Sequence, residues 1–242
     1  MSLAGVRDID KLIERARLGE AAVRSSAELE RRLRALRAWQ AARLERTYSD
    51  LRNDPRYARA IEFFLNDLYG PHDLSARDRQ FDRAWRYLKR ALPRGMLSVV
   101  GQAIELQALT TELDLELVSH LTPDAISAAS YRAAYRAAGH RDERVRQTAL
   151  VIGIGKQLDR AVRHTWLAVA LRAAHAPAHS AGLGILQAFL ERGLGAFRAM
   201  GGAQGLLDCI RDRETRLMQT LFDGTEVEGV KLLNAAGARG HA

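Results

Sequence analysis

Four residues in one stretch of the chain have the side chains and spacing to hold a metal ion: Glu105, Glu112, Glu116 and His120. At helical pitch the three carboxylates fall within about 40° of one another, with His120 about 40° further round. Carboxylates and a histidine on one stripe are the donors from which metal sites in helical bundles are built. Leu106, Leu109, Leu113 and Leu117 flank the stripe on one side, and Leu97, Ile104 and Leu115 on the other, so it would face a partly enclosed groove. Asp114 points to the opposite side. The pattern departs from a di-metal bundle, which repeats Glu-x-x-His on two helices. Here the spacing is Glu116-x-x-x-His120, and there is no second copy. A charged stripe turned to water and paired with arginines accounts for the same residues and is the commoner arrangement.

Other groupings carry less. His175 and His179 have ligand spacing, but Pro177 between them should break the helix that would align them. Gly153-Ile154-Gly155-Lys156 resembles a phosphate loop only on the surface. It lacks the residues between the glycines, the hydroxyl after the lysine and a preceding strand. Gly182-Leu183-Gly184 and Gly201-Gly202-Ala203-Gln204-Gly205 also lack the strand of a dinucleotide fold and read as helix contacts and stops. No nucleophile-elbow pattern Gly-x-Ser-x-Gly occurs. The single cysteine, Cys209, lies in an apolar run and reads as a small buried side chain rather than a nucleophile. One cysteine excludes an intrachain disulfide and fits a reducing cytoplasm. No cofactor is predicted.

The elements that must position these residues are helices. Ser25-Ser26-Ala27-Glu28 reads as a capping box ahead of a helix to about Leu51, preceded by a helix over about 7–22. Asn53-Asp54-Pro55 starts a helix that ends at Gly70-Pro71, and Ser75 starts another that ends at Pro93. A long helix covers about 95–120. Thr122-Pro123-Asp124 starts an alanine-rich helix ending at Gly139. From Asp142 a helix runs to about Arg163 and continues, bent, to His175, where Pro177 closes it. Further helices cover Ser180 to Gly201-Gly202, about 203–222 and about 226–234. No β-alternation is present. The expectation is an all-α protein: one bundle of about eight to ten helices joined by short loops, over residues 1–236. Residues 1–24 would form a peripheral helix and 237–242 a frayed tail. A softer boundary at Gly139 to Asp142 is the alternative to a single domain.

Composition narrows the function classes. The chain has 242 residues, 47% apolar and 27% charged, enough to bury a sizeable core, which at 6% aromatic must be mainly aliphatic. Its net charge of +8 rests almost wholly on arginine, since lysine occurs only at positions 11, 89, 156 and 231. Such charge would attract nucleic acid or an anionic surface. The stretch from Arg31 to Arg46, with Trp39, is the nucleic-acid candidate, yet Glu28, Glu30 and Glu45 interrupt it and no recognition signature is present. The stretch from Leu183 to Met200 is amphipathic enough for a partner helix or a membrane surface, though core packing explains it more simply. No run is long enough to span a bilayer, the nearest being Trp166 to Ala174, which contains Arg172. The first residues lack the apolar core of a signal peptide.

Residues 61–69, Ile-Glu-Phe-Phe-Leu-Asn-Asp-Leu-Tyr, place Ile61, Phe64, Leu65, Leu68 and Tyr69 on one broad arc, with Phe63 on another face. A helix apolar over so much of its circumference is usually central, so Phe63, Phe64, Leu65, Leu68 and Tyr69 are expected to anchor the core. The run Phe63 to Gly70 resembles the signature of an uncharacterised family of bacterial proteins named for an FFLEE or FFLEELY motif, with Asn66-Asp67 where that name has two glutamates. The similarity extends to Trp39-Gln40, to Asp54-Pro55-Arg56-Tyr57, to Glu112-Leu113-Asp114 and to the stretch from Gly182 to Gly202. It implies a bacterial helical protein and transfers no functional residue. The leading expectation is therefore a non-enzymatic cytoplasmic protein acting through protein–protein contacts, as adaptor, scaffold or homo-oligomer. The rival is a metal- or small-molecule-binding bundle, with catalysis left open, using the acidic stripe. The third is nucleic-acid binding through arginine-rich helices. A buried polar pocket enclosing Glu105, Glu112 and Glu116 would favour the rival.

Overall fold

A helix leaves its first N–H groups without partners, and this chain meets that need with hydroxyls. In the computed structural model, which describes residues 3–68, 75–122 and 126–236, Ser26 Oγ accepts the Leu29 N–H at 3.4 Å ahead of α2 (Ala27–Thr47). The cap is thus one residue later than the capping-box reading, and Glu28 turns to Arg31 instead. Ser127 and Ser130 exchange reciprocal bonds ahead of α7 (Ala128–Ala138), and Thr225 and Glu228 do so ahead of α12 (Glu226–Asn234). Replacing Thr225 by alanine should cost about 1 kcal/mol. The expected signature is faster amide exchange in α12, whose Leu233 is fully buried; unchanged exchange there would count against the cap.

The remaining helices are α1 (Leu3–Arg24), α3 (Ser49–Arg52), α4 (Ala58–Phe63), α5 (Ser75–Ala91), α6 (Arg94–Ser119), α8 (Arg141–Val162), α9 (Thr165–Ser180), α10 (Gly184–Ala199) and α11 (Gln204–Asp223). A π-helical turn, Phe64–Leu68, follows α4. No strand is present among the described residues, and the fold is an all-α bundle. The helix count exceeds the expected eight to ten because long segments divide. The helix expected to reach Leu51 is interrupted at Tyr48, and the one expected over 142–175 is interrupted at Arg163 and His164. Gly70-Pro71, Pro123-Asp124 and the tail at 237–242 lie outside the described residues.

Pro177 does not end its helix. It lacks one N–H near the C-terminus of α9, a small loss there, and α9 continues to Ser180. The end is made by Gly182, whose φ of 69° suits glycine. Leu183 N–H donates to Ala178 O at 2.7 Å and Gly182 N–H to His179 O at 3.0 Å, a Schellman closure. His175 and His179 are therefore aligned after all, with ring centroids 4.4 Å apart.

Helix α6 runs through the centre. Along one side lies α1, with Ile9 and Ile13 buried against Trp85, Leu97 and Ile104. A second cluster joins Leu33, Leu36, Leu117, Tyr131, Tyr135, Leu217, Leu221 and Leu233. A third joins Leu44, Tyr48, Ile61, Leu65, Ile152, Leu206 and Ile210. The adjacent phenylalanines tie different elements to this core. The Phe63 ring packs on Phe189 of α10, centroids 5.3 Å apart, and its tip meets Gly193, where an added Cβ would lie 2.9 Å away. Phe64 meets Tyr48 edge-on at 6.4 Å. Leu65 is buried as expected. Leu68 is not: it is 42% exposed. The π turn bonds i to i+5 and underwinds the helix, carrying Leu68 off the arc that a regular α-helix would give. Tyr69 lies outside the described residues.

Candidate ligand-binding cavity

The acidic stripe of α6 does not converge on one point. Glu105 accepts two bonds from Arg146 of α8, at 2.9 and 3.0 Å. Glu112 accepts from Arg15 of α1, with Nε at 2.6 Å, and the carboxylate holds the guanidinium above its ordinary value. Glu116 meets His120, at 3.3 Å in its own helix. The four residues are sent to different partners because α1 and α8 flank α6 and each supplies an arginine. Among the described residues no three of His, Cys, Asp or Glu gather closely enough to hold a metal ion. Ion pairs this exposed contribute about 0–1 kcal/mol each. The glycines at 153 and 155 lie inside α8, where the backbone at Gly155 makes room for Leu207.

The opposite face of α6 is different. Asp114 opens onto a cavity of about 110 Å³, partly open to solvent, between α2, the π turn, α6, α7, α8 and α11. It is lined by apolar side chains, among them Leu113, Val151, Ile210, Leu217 and Met218, together with Gln40, Arg43, Thr110, Asp114, Arg144, Gln147, Thr148 and Glu214 and with Tyr48, Tyr131 and Tyr135. Tyr131 is itself held by stacking on Trp39, centroids 4.3 Å apart.

Two ion pairs cross the cavity wall. Arg43, 8% exposed, donates Nη1 to Glu214 Oε1 at 2.7 Å, and the Tyr48 hydroxyl donates to the same oxygen at 2.8 Å. Burial works against the Arg43 charge, but the Glu214 carboxylate outweighs it and holds the guanidinium above its ordinary value. Burial, aided by that carboxylate, pushes the Tyr48 hydroxyl well up, so it stays a donor. Asp114, 5% exposed, accepts from Gln40 Nε2 at 3.1 Å and from Arg37 Nε at 3.3 Å. Its burial pushes the carboxyl up, and Arg37 and Gln40 pull it only part of the way back.

Arg144 stands apart. Gly139 and His140, with φ of 67° and 61°, turn the chain sharply between α7 and α8. The left-handed region costs a non-glycine residue about 1–3 kcal/mol, a strain held only when the surroundings enforce it. The turn sets Arg144 in the first turn of α8, its N–H bonded to His140 O at 3.0 Å. The guanidinium lies 3.8 Å from the Tyr135 ring centroid, and Nε donates to Gly139 O at 3.4 Å. Its Nη2 is buried and has no hydrogen-bond partner among the described residues.

The Asp114 shift has a pH signature. Its folded pKa lies above the unfolded value of about 3.9, so its charge costs stability at neutral pH and the cost fades as pH falls toward the unfolded value. Asp50, beside the cavity, has the opposite sign. Bonds from Arg213 at 2.7 and 2.8 Å hold it below its ordinary value, so its contribution is present above about pH 4 and lost as pH falls further. Asp114→Asn is therefore expected to gain stability relative to wild type near pH 7, with the gain vanishing toward pH 4 in urea titrations. A pH-independent difference would contradict the shift.

Sequence spacing missed Arg43, Asp114, Tyr131, Tyr135, Arg144 and Glu214 as a group. Two signals were present. Asp114 stands on the helix face opposite the other acids, three and four residues before the buried Leu117 and Val118, and Tyr131 and Tyr135 share one face of an alanine-rich helix. No curated protein and no solved structure matches the chain. Residues 20–228, a span that contains every residue lining the cavity, match the family described as Domain of unknown function (DUF8198), and the chain belongs to that family.

Proposed function

We propose that the protein binds a small polar ligand in the interior cavity. The observation that carries this reading is the cavity itself, walled by Arg43, Asp114, Arg144 and Glu214 in the middle of an otherwise aliphatic core. Each buried charge costs several kcal/mol, and well-packed apolar residues often give an equal or more stable core. A protein that keeps such a polar interior around a space larger than one water is built like a binding site. The small-molecule reading thus moves from the stripe of Glu105, Glu112, Glu116 and His120 to the other face of the same helix. The test is a thermal-shift screen of the full chain against small anionic, neutral and cationic compounds. A saturable rise in melting temperature with at least one chemical class supports the reading, and no rise with any class overturns it.

Contact with a partner protein or a second copy is the second reading, and α9 favours it. That helix has no buried residue, and Trp166 and Val169 are 45% and 64% exposed. On α10, Ile185 and Leu190 are also exposed. Replacing Trp166 and Val169 together by glutamate, with mass measured by light scattering across concentration, tests for self-association through this face. Nucleic-acid binding has less support, because Arg15, Arg31, Arg34, Arg146, Arg163 and Arg192 are each paired with a carboxylate. No helix among the described residues is long and apolar enough to cross a membrane. The run from Phe63 to Gly70 and the single cysteine support a bacterial, cytoplasmic protein of the FFLEE type.

A further inference from the structure

We propose that α9 lies on the surface of an anionic phospholipid bilayer, with its outward face toward the acyl layer and Arg172 and Arg198 at the headgroups. This goes beyond the cavity reading and does not depend on it.

The apolar surplus comes first. Helix α9 runs from Thr165 to Ser180 without an aspartate or glutamate. At helical pitch Trp166, Val169, Ala170, Ala173, Ala176 and Pro177 fall within an arc of about 120°, and every one of them is exposed. Only Ser180, the last residue of the helix, adds a polar group to that arc. Leu167, Leu171, Ala174 and Ala178 lie on the opposite side and are half-buried where α9 packs on α10 and α8. A helix apolar on both sides is ordinarily enclosed, by a core or by a membrane. Here one side alone is covered.

Charge indicates what covers the other. At the edge of the outward arc Arg172 meets a groove of about 290 Å³ between α9 and α10, with Arg198 also on its wall. The groove holds one carboxylate, Glu191, and its Oε1 is already engaged by His175 Nδ1 and Gln187 Nε2, each at 2.9 Å. Two arginines thus stand against one carboxylate, and His175 adds to the excess when protonated. No aspartate or glutamate occurs from position 160 to position 190. A second copy of α9 would bring the same cations and no anion to answer them, so charge argues against self-association through this face. A partner protein would have to supply a groove for a protruding helix, whereas a bilayer takes in such a ridge directly. A bilayer also supplies hydrocarbon and a layer of negative headgroups together. Trp166, in the first turn of α9, is the residue type that settles at headgroup level.

The experiment is co-sedimentation of the full chain with vesicles of phosphatidylcholine alone and of phosphatidylcholine mixed with an equal amount of phosphatidylglycerol, followed in parallel by tryptophan fluorescence. Binding to the mixed vesicles is expected, with binding to phosphatidylcholine alone at least about tenfold weaker, since each arginine near an anionic surface contributes about a fivefold gain. The emission should shift to the blue, and spin-labelled lipid should quench it. Trp85 is 6% exposed and Trp39 is stacked on Tyr131, so the change reports Trp166. Replacing Trp166 and Val169 together by glutamate should abolish binding, and Arg172→Ala should weaken it about fivefold. Both are exposed positions, and the arginine variant supplies the comparison if the double variant does not fold. Failure to bind either vesicle overturns the proposal and leaves a partner protein as the cover. Equal binding to both vesicles, full binding by either variant, or binding without a change in emission overturns it as well. So does a dimer in lipid-free solution that the double variant loses, because a second copy then occupies the face.

Discussion

Replacing Arg43 by methionine is expected to lower the stability of the fold by about 3–5 kcal/mol, the cost of breaking a buried pair from one side. Methionine fills much of the same volume, so the loss comes from charge. Glu214 keeps its negative charge with only the Tyr48 hydroxyl, at 2.8 Å, to compensate it. The Glu214 side chain is 22% exposed, too little for water to replace the guanidinium. The companion Glu214→Leu substitution in the same chain should recover most of the loss, because removing both charges leaves an apolar wall. The Tyr48 hydroxyl then lacks its acceptor, which costs about 1–3 kcal/mol and limits the recovery. Urea denaturation of the two single variants and the double variant reads the coupling directly. An Arg43→Met variant within about 1 kcal/mol of wild type would show that the pair is not the brace described.

The same substitution at Arg144 is expected to act with the opposite sign, raising ligand-free stability by about 1–2 kcal/mol. Arg43 bonds a carboxylate directly, whereas Arg144 meets an aromatic face and one carbonyl, acts on the Asp114 carboxylate only at a distance, and leaves Nη2 unpaired among the described residues. Losing the cation–π contact with Tyr135 costs up to about 2 kcal/mol, which takes back part of the gain from removing a buried charge that no carboxylate bonds directly. For a chain of this length each kcal/mol corresponds to about 2–4 °C in melting temperature. A fall in melting temperature on Arg144→Met would show that the guanidinium braces the start of α8.

The difference between these two arginines marks where sequence reasoning ran out. Caps and helix stops are local, so the Ser25-Ser26 pair and Gly139 announce boundaries within a few residues of where they act. The Arg43–Glu214 pair spans 171 residues and the Arg37–Asp114 bond 77, and no periodicity encodes such partners. A helical wheel could show that Asp114 and the stripe of Glu105, Glu112 and Glu116 face opposite ways, but not which face the bundle encloses. It also assumes an unbroken α-helix, which is why Leu68 was misplaced beyond the π turn. Proline rules failed at Pro177 for a related reason. They describe the helix interior, and Pro177 sits where few bonds remain to be lost. The strained turn at Gly139 and His140, which aims Arg144, was visible only as a soft boundary.

The gap between the clusters also gives the protein a mechanical character. Unfolding erases whatever part of this gap of about 110 Å³ water leaves empty, and that lowers the volume of the unfolded chain relative to the folded one. Hydrostatic compression should therefore unfold this bundle more readily than a solid one of equal thermal stability. Whatever molecule fills the void makes the interior less compressible, so the midpoint pressure of unfolding reports occupancy without any chemistry at all.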